Sequence, residues 1–208
     1  MANVNAPYGL RQIGMAGSPP QNSALQERRN AILSTDTTAI YTGDLVRQSA
    51  NGYWVQWTAT IPANLCVGVF AGCRYASNSQ QTTVPQKYWP GTDALAGTIL
   101  AQVTPNSGGP LFVIQTDSTG ITLAEIGLNF DIAVGTGSAL TGRSGAYLDV
   151  STSTTATTAP LNLVDLWSNY SMGNNPEGAG SPSTLAPGTQ AGAYNWAVVR
   201  LNVNQGGI

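Results

Sequence analysis

The sequence predicts an all-β protein, a single compact antiparallel β-barrel or sandwich with an extended N-terminal arm and long Gly- and Pro-rich loops. Glycine and proline account for 24 and 12 of its 208 residues, and they interrupt the chain at short intervals. The runs between them are short, which favours strands, and they are either alternating or continuously apolar. A chain of 208 residues is long enough for one domain with a core, whereas two domains would be crowded.

Residues 53–57 and 195–203 show the alternation of apolar and polar residues that is typical of half-buried strands. The apolar faces that we predict consist of Tyr53, Val55 and Trp57 in the first segment and of Ala197, Val199, Leu201 and Val203 in the second. The opposite faces carry polar residues such as Gln56 and Arg200. Both segments are therefore predicted to be strands.

Residues 65–70 and 111–114 are continuous apolar runs of strand length. Such runs are typical of central strands that are covered on both faces. Shorter strand candidates are residues 99–103, 121–124 and 146–150.

Two segments fit more than one local structure. Residues 161–166 fit either a strand or a single helical turn. In residues 23–33, the opening Ser-Ala-Leu-Gln has the spacing of a capping box, which favours the start of a helix. The apolar stripe that would follow is thin, so we expect residues 30–33 to begin a strand instead.

The chain is divided into a predicted N-terminal arm, residues 1–20, and a β-domain, residues 21–208. Within the β-domain, residues 174–192 are rich in Gly, Pro and Ser and have few apolar side chains, which predicts an irregular loop. Residues 151–159 are a Ser/Thr/Ala tract that fits either a flexible loop or a solvated strand.

The charge content argues against a nucleic-acid partner. Eight Lys and Arg residues stand against ten Asp and Glu, so no basic stripe is available for a phosphate backbone and direct nucleic-acid binding is not expected. Only 9% of the residues are charged, against about a quarter in an average domain, which suits a protein embedded in protein contacts.

No membrane segment or secretory signal is predicted. The longest apolar stretches, such as residues 65–71, are far shorter than the roughly 20 residues that a membrane helix needs. The first residues lack the charged head and apolar run of a secretory signal, so we expect synthesis in a cytoplasm.

No catalytic, cofactor-binding or metal site is predicted, and the chain is expected not to be an enzyme. The sequence has no histidine, which removes Ser-His-Asp and Cys-His nucleophile systems and the commonest transition-metal ligand. Two cysteines cannot complete a tetrahedral zinc site, and no stretch matches a phosphate-binding loop. The ten carboxylates are scattered, and most sit beside Gly, Thr or Ser, as expected of residues in turns.

The two cysteines, Cys66 and Cys73, are predicted to be small buried apolar side chains. A reducing cytoplasm would keep both as thiols. In an unbroken strand, their offset of seven residues would point the two sulfurs to opposite faces. A disulfide bridge would then need a turn at one of the glycines between them.

Five tryptophans are spread along the chain, and most are expected in the core of a small β-fold. Tyr88 and Trp89 differ, because Pro85 and Pro90 flank them and place the pair near a loop. There, an interface role and a core role both stay open. Exposed tryptophans on an uncharged polar surface would also suit a carbohydrate-binding β-module, which is the alternative from another functional class.

Seven stretches, in order along most of the chain, resemble a family of bacteriophage virion proteins that are often encoded among head genes. The first, residues 5–11, reads Asn-Ala-Pro-Tyr-Gly-Leu-Arg and is similar to an Asn-Ala-Pro-Phe-Gly-Phe-Arg opening. The second, residues 40–46, has Gly-Asp-Leu-Val where the family tends to have Gly-Asp-Pro-Val. The others are residues 67–73, 87–90, 112–115, 125–130 and 197–202. The chain departs from the pattern in a Pro- and Gly-rich insert before Trp196.

The resemblance implies a capsid-associated structural protein, a cement or decoration protein made in the host cytoplasm and located in the virion, on the outer surface of the shell. It would bind the major capsid protein where shell subunits meet, with no cofactor, and we expect a homotrimer at a local three-fold axis. The expected partner contacts are Asn5, Pro7, Tyr8 and Arg11 of the arm together with Tyr88 and Trp89. Other virion roles, as a head-tail connector, a tail protein or a minor shell protein, stay open as alternatives.

Overall fold

The structure is a computed structural model that describes residues 4–15, 25–58, 66–106, 109–156, 158–167 and 192–202. Within these ranges the chain forms fourteen β-strands and one short 3₁₀ helix, Leu123–Glu125. In chain order the strands are β1 (Arg11–Met15), β2 (Gln26–Arg29), β3 (Ile40–Tyr41), β4 (Leu45–Gln48), β5 (Trp54–Gln56), β6 (Cys66–Ala76), β7 (Thr83–Gln86), β8 (Tyr88–Trp89), β9 (Leu100–Pro105), β10 (Pro110–Gln115), β11 (Asn129–Ala133), β12 (Tyr147–Thr154), β13 (Leu161–Leu166) and β14 (Trp196–Leu201). Of the irregular loop predicted at 174–192, all but Gly192 lies outside the described residues.

The strands pair antiparallel in three sheets. The first sheet has the order β1-β10-β14-β13-β11-β12, and the second has the order β2-β9-β6-β4-β5 with β7 paired to β6. A small sheet pairs β3 with β8. The sheets pack against one another and do not close into a barrel, so the chain is a β-sandwich. The predicted all-β class is confirmed, and of the two architectures that the sequence left open the sandwich is present.

The second sheet is covered by a hydrophobic core on each face. The inter-sheet core, between the first and second sheets, includes Leu45, Trp57, Cys66, Val69, Phe112, Phe130, Leu148 and Val199. The outer core, on the other face and partly closed by the small sheet, includes Val46, Trp54, Phe70, Cys73, Tyr75 and Trp89. Because neighbouring residues of β4 and β6 enter different cores, both strands are apolar on both faces.

Cys66 and Cys73 of β6 are both buried, free thiols. Cys66 lies in the inter-sheet core and Cys73 in the outer core. β6 contains two extra residues, because its pairing shifts register once against β4 and once against β9. Each extra residue reverses the alternation of faces, so the two reversals cancel and the sulfurs still lie on opposite faces. Burial raises the pKa of both thiols to about 12.

Most of the predicted strands are present. The continuous apolar runs at 65–70 and 111–114 correspond to β6 and β10, which are interior strands of their sheets. The alternating run at 195–203 corresponds to β14, whose alternate residues Ala197, Val199 and Leu201 enter the inter-sheet core, while Val203 lies outside the described residues. The strand predictions at 99–103 and 146–150 are confirmed in β9 and β12, and residues 161–166, which fitted either a strand or a helical turn, form the strand β13. The Ser/Thr tract begins as a solvated strand, since β12 continues to Thr154 with alternating exposure.

The strand predicted at residues 121–124 is wrong. Ile121 is fully buried in the inter-sheet core, but the next residues form the 3₁₀ helix. The Glu125 carboxylate accepts a hydrogen bond from the Thr122 N–H at 2.6 Å. This capping box turns the chain out of an extended conformation. Its Thr-Leu-Ala-Glu spacing can be recognised in the sequence.

Neither expectation for residues 23–33 holds in the part that the structure describes, which begins at Leu25. From Gln26 the chain is extended and β2 pairs with β9. Asn30, with a φ of 54°, ends the strand, and Ala31 and Ile32 enter the outer core outside any strand. Pairing with β9 therefore outweighs the local helix signal.

The strand predicted at 53–57 is present as β5, but the predicted apolar face is wrong. Trp54 is buried in the outer core and Trp57 in the inter-sheet core, whereas Tyr53 and Val55 are only half-buried. A strand in a sheet with a core on each face does not have to follow a one-sided alternation.

Candidate interaction surfaces

Residues 4–15 of the predicted N-terminal arm are bound to the chain's own domain. β1 pairs with β10 at the edge of the first sheet. Ahead of β1, the buried Gln115 side chain accepts a hydrogen bond from the Ala6 N–H at 2.9 Å and donates one to the Val4 carbonyl at 2.8 Å. The side-chain amide thus provides the donor and the acceptor that a neighbouring strand would provide. The remaining residues of the arm, 1–3 and 16–20, lie outside the described residues.

Three segments meet beside β1, at residues 8–10, 42–44 and 142–146, which we call the junction. The Leu10 N–H donates to the Gly43 carbonyl at 2.9 Å, and the Gly9 N–H donates to the Ala146 carbonyl at 3.1 Å. At Gly9, where φ is +77°, a Cβ would lie 2.5 Å from the Gly43 carbonyl oxygen. Only glycine fits this position, because both the backbone conformation and the close approach exclude a side chain.

Asp44 lies inside the junction and is 3% exposed. Its carboxylate accepts hydrogen bonds from the Tyr41 N–H at 2.8 Å, from the Gln56 amide at 2.8 Å and from the Ser144 hydroxyl. Burial raises the pKa of this carboxyl, although the three hydrogen bonds oppose the rise. A buried carboxylate is costly without hydrogen-bond donors. These three hydrogen bonds therefore stabilise Asp44 in its buried position, and they tie its own segment to Gln56 and Ser144.

A groove of about 490 Å³ lies beside the junction. Its lining residues are Tyr8, Leu10, Arg11, Gln12, Thr42, Phe70, Ala71 and Arg143, and we call it the arginine groove. Leu10 and Phe70, which are buried members of the two cores, form part of its base. Arg11 and Arg143 are exposed, and the lining residues that the structure describes include no carboxylate. The groove therefore has basic side chains at its rim.

An exposed leucine lies in a turn next to the groove, which we call the leucine turn, residues 138–143. The Ser138 N–H donates to the Arg143 carbonyl at 2.9 Å, and the Thr42 N–H ties the base of the turn to the Gly142 carbonyl at 3.0 Å. Leu140 is 96% exposed, more than any other large hydrophobic side chain of the described residues. A hydrogen-bonded turn thus holds an apolar side chain in water beside the groove.

Five of the six expected contact residues border one surface. Asn5 and Arg11 are exposed, and Pro7, Tyr8 and Tyr88 are half-buried. The Tyr8 ring stacks on Trp196 with 4.8 Å between the ring centroids. The Thr42 hydroxyl donates to the Lys87 carbonyl, so the arginine groove adjoins the segment that carries Tyr88. Two regions of the sequence about 80 residues apart are therefore brought to the same side of the molecule.

Trp89 lies in the outer core and is fully buried. Its indole N–H donates to the Asp36 carbonyl at 3.1 Å, and its ring meets Tyr75 edge-on with 5.6 Å between the centroids. Pairing of β8 with β3 places Trp89 there despite the flanking prolines. A partner contact through this ring would require the outer core to open, so of the two aromatic residues only Tyr88 is available at the surface.

Four of the five tryptophans are buried, namely Trp54, Trp57, Trp89 and Trp196. The expectation that most tryptophans lie in the core is confirmed. These four cannot form the exposed aromatic platform that motivated the carbohydrate-binding alternative.

A second groove, of about 370 Å³, lies beside the turn that follows β6 and is lined by small or polar side chains and Leu95. Next to it, the Asp93 carboxylate accepts hydrogen bonds from the Ser77 hydroxyl at 2.5 Å and from the Ser79 N–H at 2.8 Å. We call these three residues the aspartate turn. The hydrogen bonds from Ser77 and Ser79 lower the pKa of Asp93.

Two carboxylates face each other outside both grooves, since Asp131 of β11 is the cross-strand partner of Asp149 of β12. Partial burial and the negative charge of Asp149 raise the pKa of Asp131. In the described ranges, no three His, Cys, Asp or Glu side chains lie close enough together to hold a metal ion. None of the helical residues among those described forms a segment long and apolar enough to cross a membrane.

Sequence reasoning missed two residues of this surface, Leu140 and Arg143. The signal for Leu140 was available, because it is the one large apolar residue in a stretch of Gly, Ala, Ser and Thr at residues 135–142, where a loop is expected. Nothing in the sequence indicated that Arg143 lies near Arg11, because their proximity depends on how the two sheets pack.

Comparison of the chain with models of known protein families, with curated proteins and with solved structures finds no significant match. The sandwich and its surfaces, together with the resemblance of the seven sequence stretches, are therefore the basis for assigning a function.

Proposed function

We propose that this chain is a structural virion protein, a cement or decoration protein that binds the assembled shell of a bacteriophage capsid and stabilises contacts between major capsid subunits. One observation carries the proposal. The stretches that resemble the virion family supply six of the eight lining residues that the structure describes in the arginine groove: Tyr8, Leu10 and Arg11 from residues 5–11, Thr42 from 40–46, and Phe70 and Ala71 from 67–73. Residues 87–90, a fourth stretch, adjoin Thr42 through the carbonyl of Lys87.

Binding alone is sufficient for this function. A protein that binds only the assembled form of the shell stabilises that form by mass action, so no chemical step is needed. The tied N-terminal segment and the junction make the groove part of a fixed sandwich, which reduces the conformational entropy lost on binding. The low charge content of the chain, 9%, suits a surface that is covered by other proteins.

The proposed assembly is a homotrimer at a local three-fold axis on the outer surface of the shell, with the major capsid protein as partner and synthesis in the host cytoplasm. Within each copy, the proposed contact surface extends from Asn5 and Pro7 through the arginine groove to Tyr88. Asn5 and Arg11 are exposed there.

The test is quantitative mass spectrometry of purified particles, which gives the copies of this chain per copy of the major capsid protein. A ratio near one, or a simple fraction of it, is expected for a cement protein on a symmetric lattice. About a dozen copies per particle would instead indicate a ring at the neck or tail. Absence from the particle would contradict any virion role.

A further inference from the structure

We propose that the arginine groove binds a carboxylate-bearing segment of a protein partner and that Leu140 packs on an apolar part of the same partner. This inference names the contact chemistry, and it rests on the proposed function only for the identity of that partner. Three arguments support it: the charge of the groove, the position of the leucine turn beside it, and the poorer fit of a second copy of the chain or of a nucleic acid.

The charge around the groove selects an anionic group. Arg11 and Arg143 line the groove, the described part of its lining includes no carboxylate, and Lys87, which is exposed, follows just beyond Thr42. Three of the eight basic residues in the chain are therefore found at one surface. Guanidinium groups bind carboxylates through paired, charge-assisted hydrogen bonds.

The leucine turn adds an apolar contact beside this charge. Leu140 is 96% exposed, and it sits three residues before Arg143 in a turn that is closed by a 2.7 Å hydrogen bond from the Gly142 N–H to the Ser138 carbonyl. Because these hydrogen bonds already order the backbone of the turn, the turn loses little backbone freedom when a partner covers Leu140. An apolar contact next to a charged one is the usual composition of an interface centre and its rim.

Other occupants fit less well. A second copy of the chain, related by a two-fold axis at this surface, would bring the same arginines towards each other, and like charges would oppose the contact. A nucleic acid needs a basic stripe that follows its backbone, whereas this chain has a formal net charge of −2. An acidic protein segment meets the groove with complementary charge.

The first experiment selects short random-sequence peptides on the full-length protein and measures their affinities. We expect the selected peptides to be enriched in Asp or Glu next to an apolar residue. Arg143→Glu should weaken their binding by about tenfold or more, and Leu140→Ser by about fivefold. Arg74→Glu and Leu95→Ser are matched controls, because Arg74 and Leu95 are exposed outside the arginine groove, and both should leave binding unchanged.

The proposal is overturned if the selected peptides are not acidic, or if Arg143→Glu binds them as well as the wild type does. Binding of a single-stranded oligothymidylate that depends on Arg143 would also overturn it, in favour of a nucleic-acid partner. Thermal melts and circular dichroism of each variant separate a lost contact from a lost fold.

Binding of the same variants to particles stripped of this chain separates the inference from the proposed function. If the wild type rebinds and Arg143→Glu rebinds equally, the capsid role stands and the groove proposal fails. If the wild type does not rebind but selects acidic peptides through Arg143, the groove proposal stands and the capsid role fails.

Discussion

The junction and the aspartate turn solve the same structural problem over different sequence distances. In each, a carboxylate accepts hydrogen bonds from a serine hydroxyl and from a backbone N–H beside a groove. Asp44 bonds Ser144, which is 100 residues away, whereas Asp93 bonds Ser77 and Ser79, which are 16 and 14 residues away. Asp44 is 3% exposed, whereas the Asp93 carboxylate lies at the surface.

The difference shows that the contribution of a loop to the stability of the fold depends on which parts of the chain it connects. The junction forms only when the two sheets have packed, so a change there disturbs the inter-sheet core and the whole sandwich. The aspartate turn is made of residues from neighbouring parts of one sheet, so it can open while the rest of the fold stays intact. We therefore expect matched substitutions in the two regions to differ in their effect on the free energy of unfolding.

Gly9→Ala has the largest expected effect. A Cβ at this position would lie 2.5 Å from the Gly43 carbonyl oxygen at a φ of +77°, so the free energy of unfolding should fall by roughly 3 kcal/mol or more. Gly97→Ala is the matched control beside the second groove, because Gly97 has a φ of +80° but its Cβ would meet only the Asn30 side chain, at 4.0 Å. It should cost about 1 kcal/mol. Urea unfolding followed by tryptophan fluorescence measures both, and equal losses would contradict the contrast.

Gln115→Ala tests the segment that leads into the junction. Without the side-chain amide, the Ala6 N–H and the Val4 and Tyr194 carbonyls lose their partners, and we expect a loss of about 2 kcal/mol in unfolding free energy. Thr98→Ala is the counterpart near the second groove, where a half-buried hydroxyl bonds the Ala76 N–H at 3.1 Å and water can replace it at about 0.5 kcal/mol. Limited proteolysis should cleave the N-terminal segment faster in Gln115→Ala alone. Unchanged cleavage would show that the amide does not hold this segment.

The two aspartates should give opposite pH dependences of stability. Burial raises the pKa of Asp44 above its ordinary 3.8, so its contribution is fully present below that value and is lost as the pH rises through the folded-state pKa. Hydrogen bonds from Ser77 and Ser79 lower the pKa of Asp93. Its contribution is therefore present above its unfolded-state pKa and is lost as the pH falls through the folded-state pKa.

Asp44→Asn and Asp93→Asn make this prediction measurable. Unfolding free energies are compared with the wild type between about pH 3 and pH 7. The stability of the wild type relative to Asp44→Asn should decrease as the pH rises, and its stability relative to Asp93→Asn should decrease as the pH falls. Two slopes of the same sign would refute the assigned environments.

The reactivity of the two thiols reports on local opening of the two cores. This test needs no substitution. Cys66 faces the inter-sheet core, to which the junction contributes Leu10 and Ala146, and Cys73 faces the outer core, near Tyr75. Because burial raises the pKa of both to about 12, neither should react rapidly in the folded protein at neutral pH. In native buffer, mass spectrometry should detect alkylation of Cys73 before Cys66, because the outer core can open locally on one sheet, whereas opening of the inter-sheet core requires the two sheets to separate. Reaction at equal rates would mean that the cores open together.

Much of the fold was predictable because local signals encode it. β10 and β14 followed from a continuous apolar run and an alternating one, and the tertiary structure uses both patterns as expected. The 3₁₀ helix after Ile121 was missed although its capping box stands in the sequence, because an apolar run was read as a strand. The faces of Trp54 and Trp57 were not predictable in the same way, since they depend on a second core on the far side of the sheet.

The candidate site was predictable only in part. Tyr8, Arg11 and Tyr88 were identified and lie on or beside the arginine groove. Trp89 was identified with them, but the pairing of β8 with β3 places it in the outer core. Arg143 completes the groove from a part of the sequence that carries no motif, so no local signal could have placed it there.

By itself, the sequence determined the all-β class, the strand-length segments and the absence of histidine chemistry, because composition and the period of a strand act over a few neighbouring residues. Only the tertiary structure decided the sandwich, the two cores and the meeting of residues 8–10, 42–44 and 142–146. The physical reason is that antiparallel strands of similar pattern can pair in many orders, and the order is selected by packing across the whole domain. The arginine groove is a product of that selection.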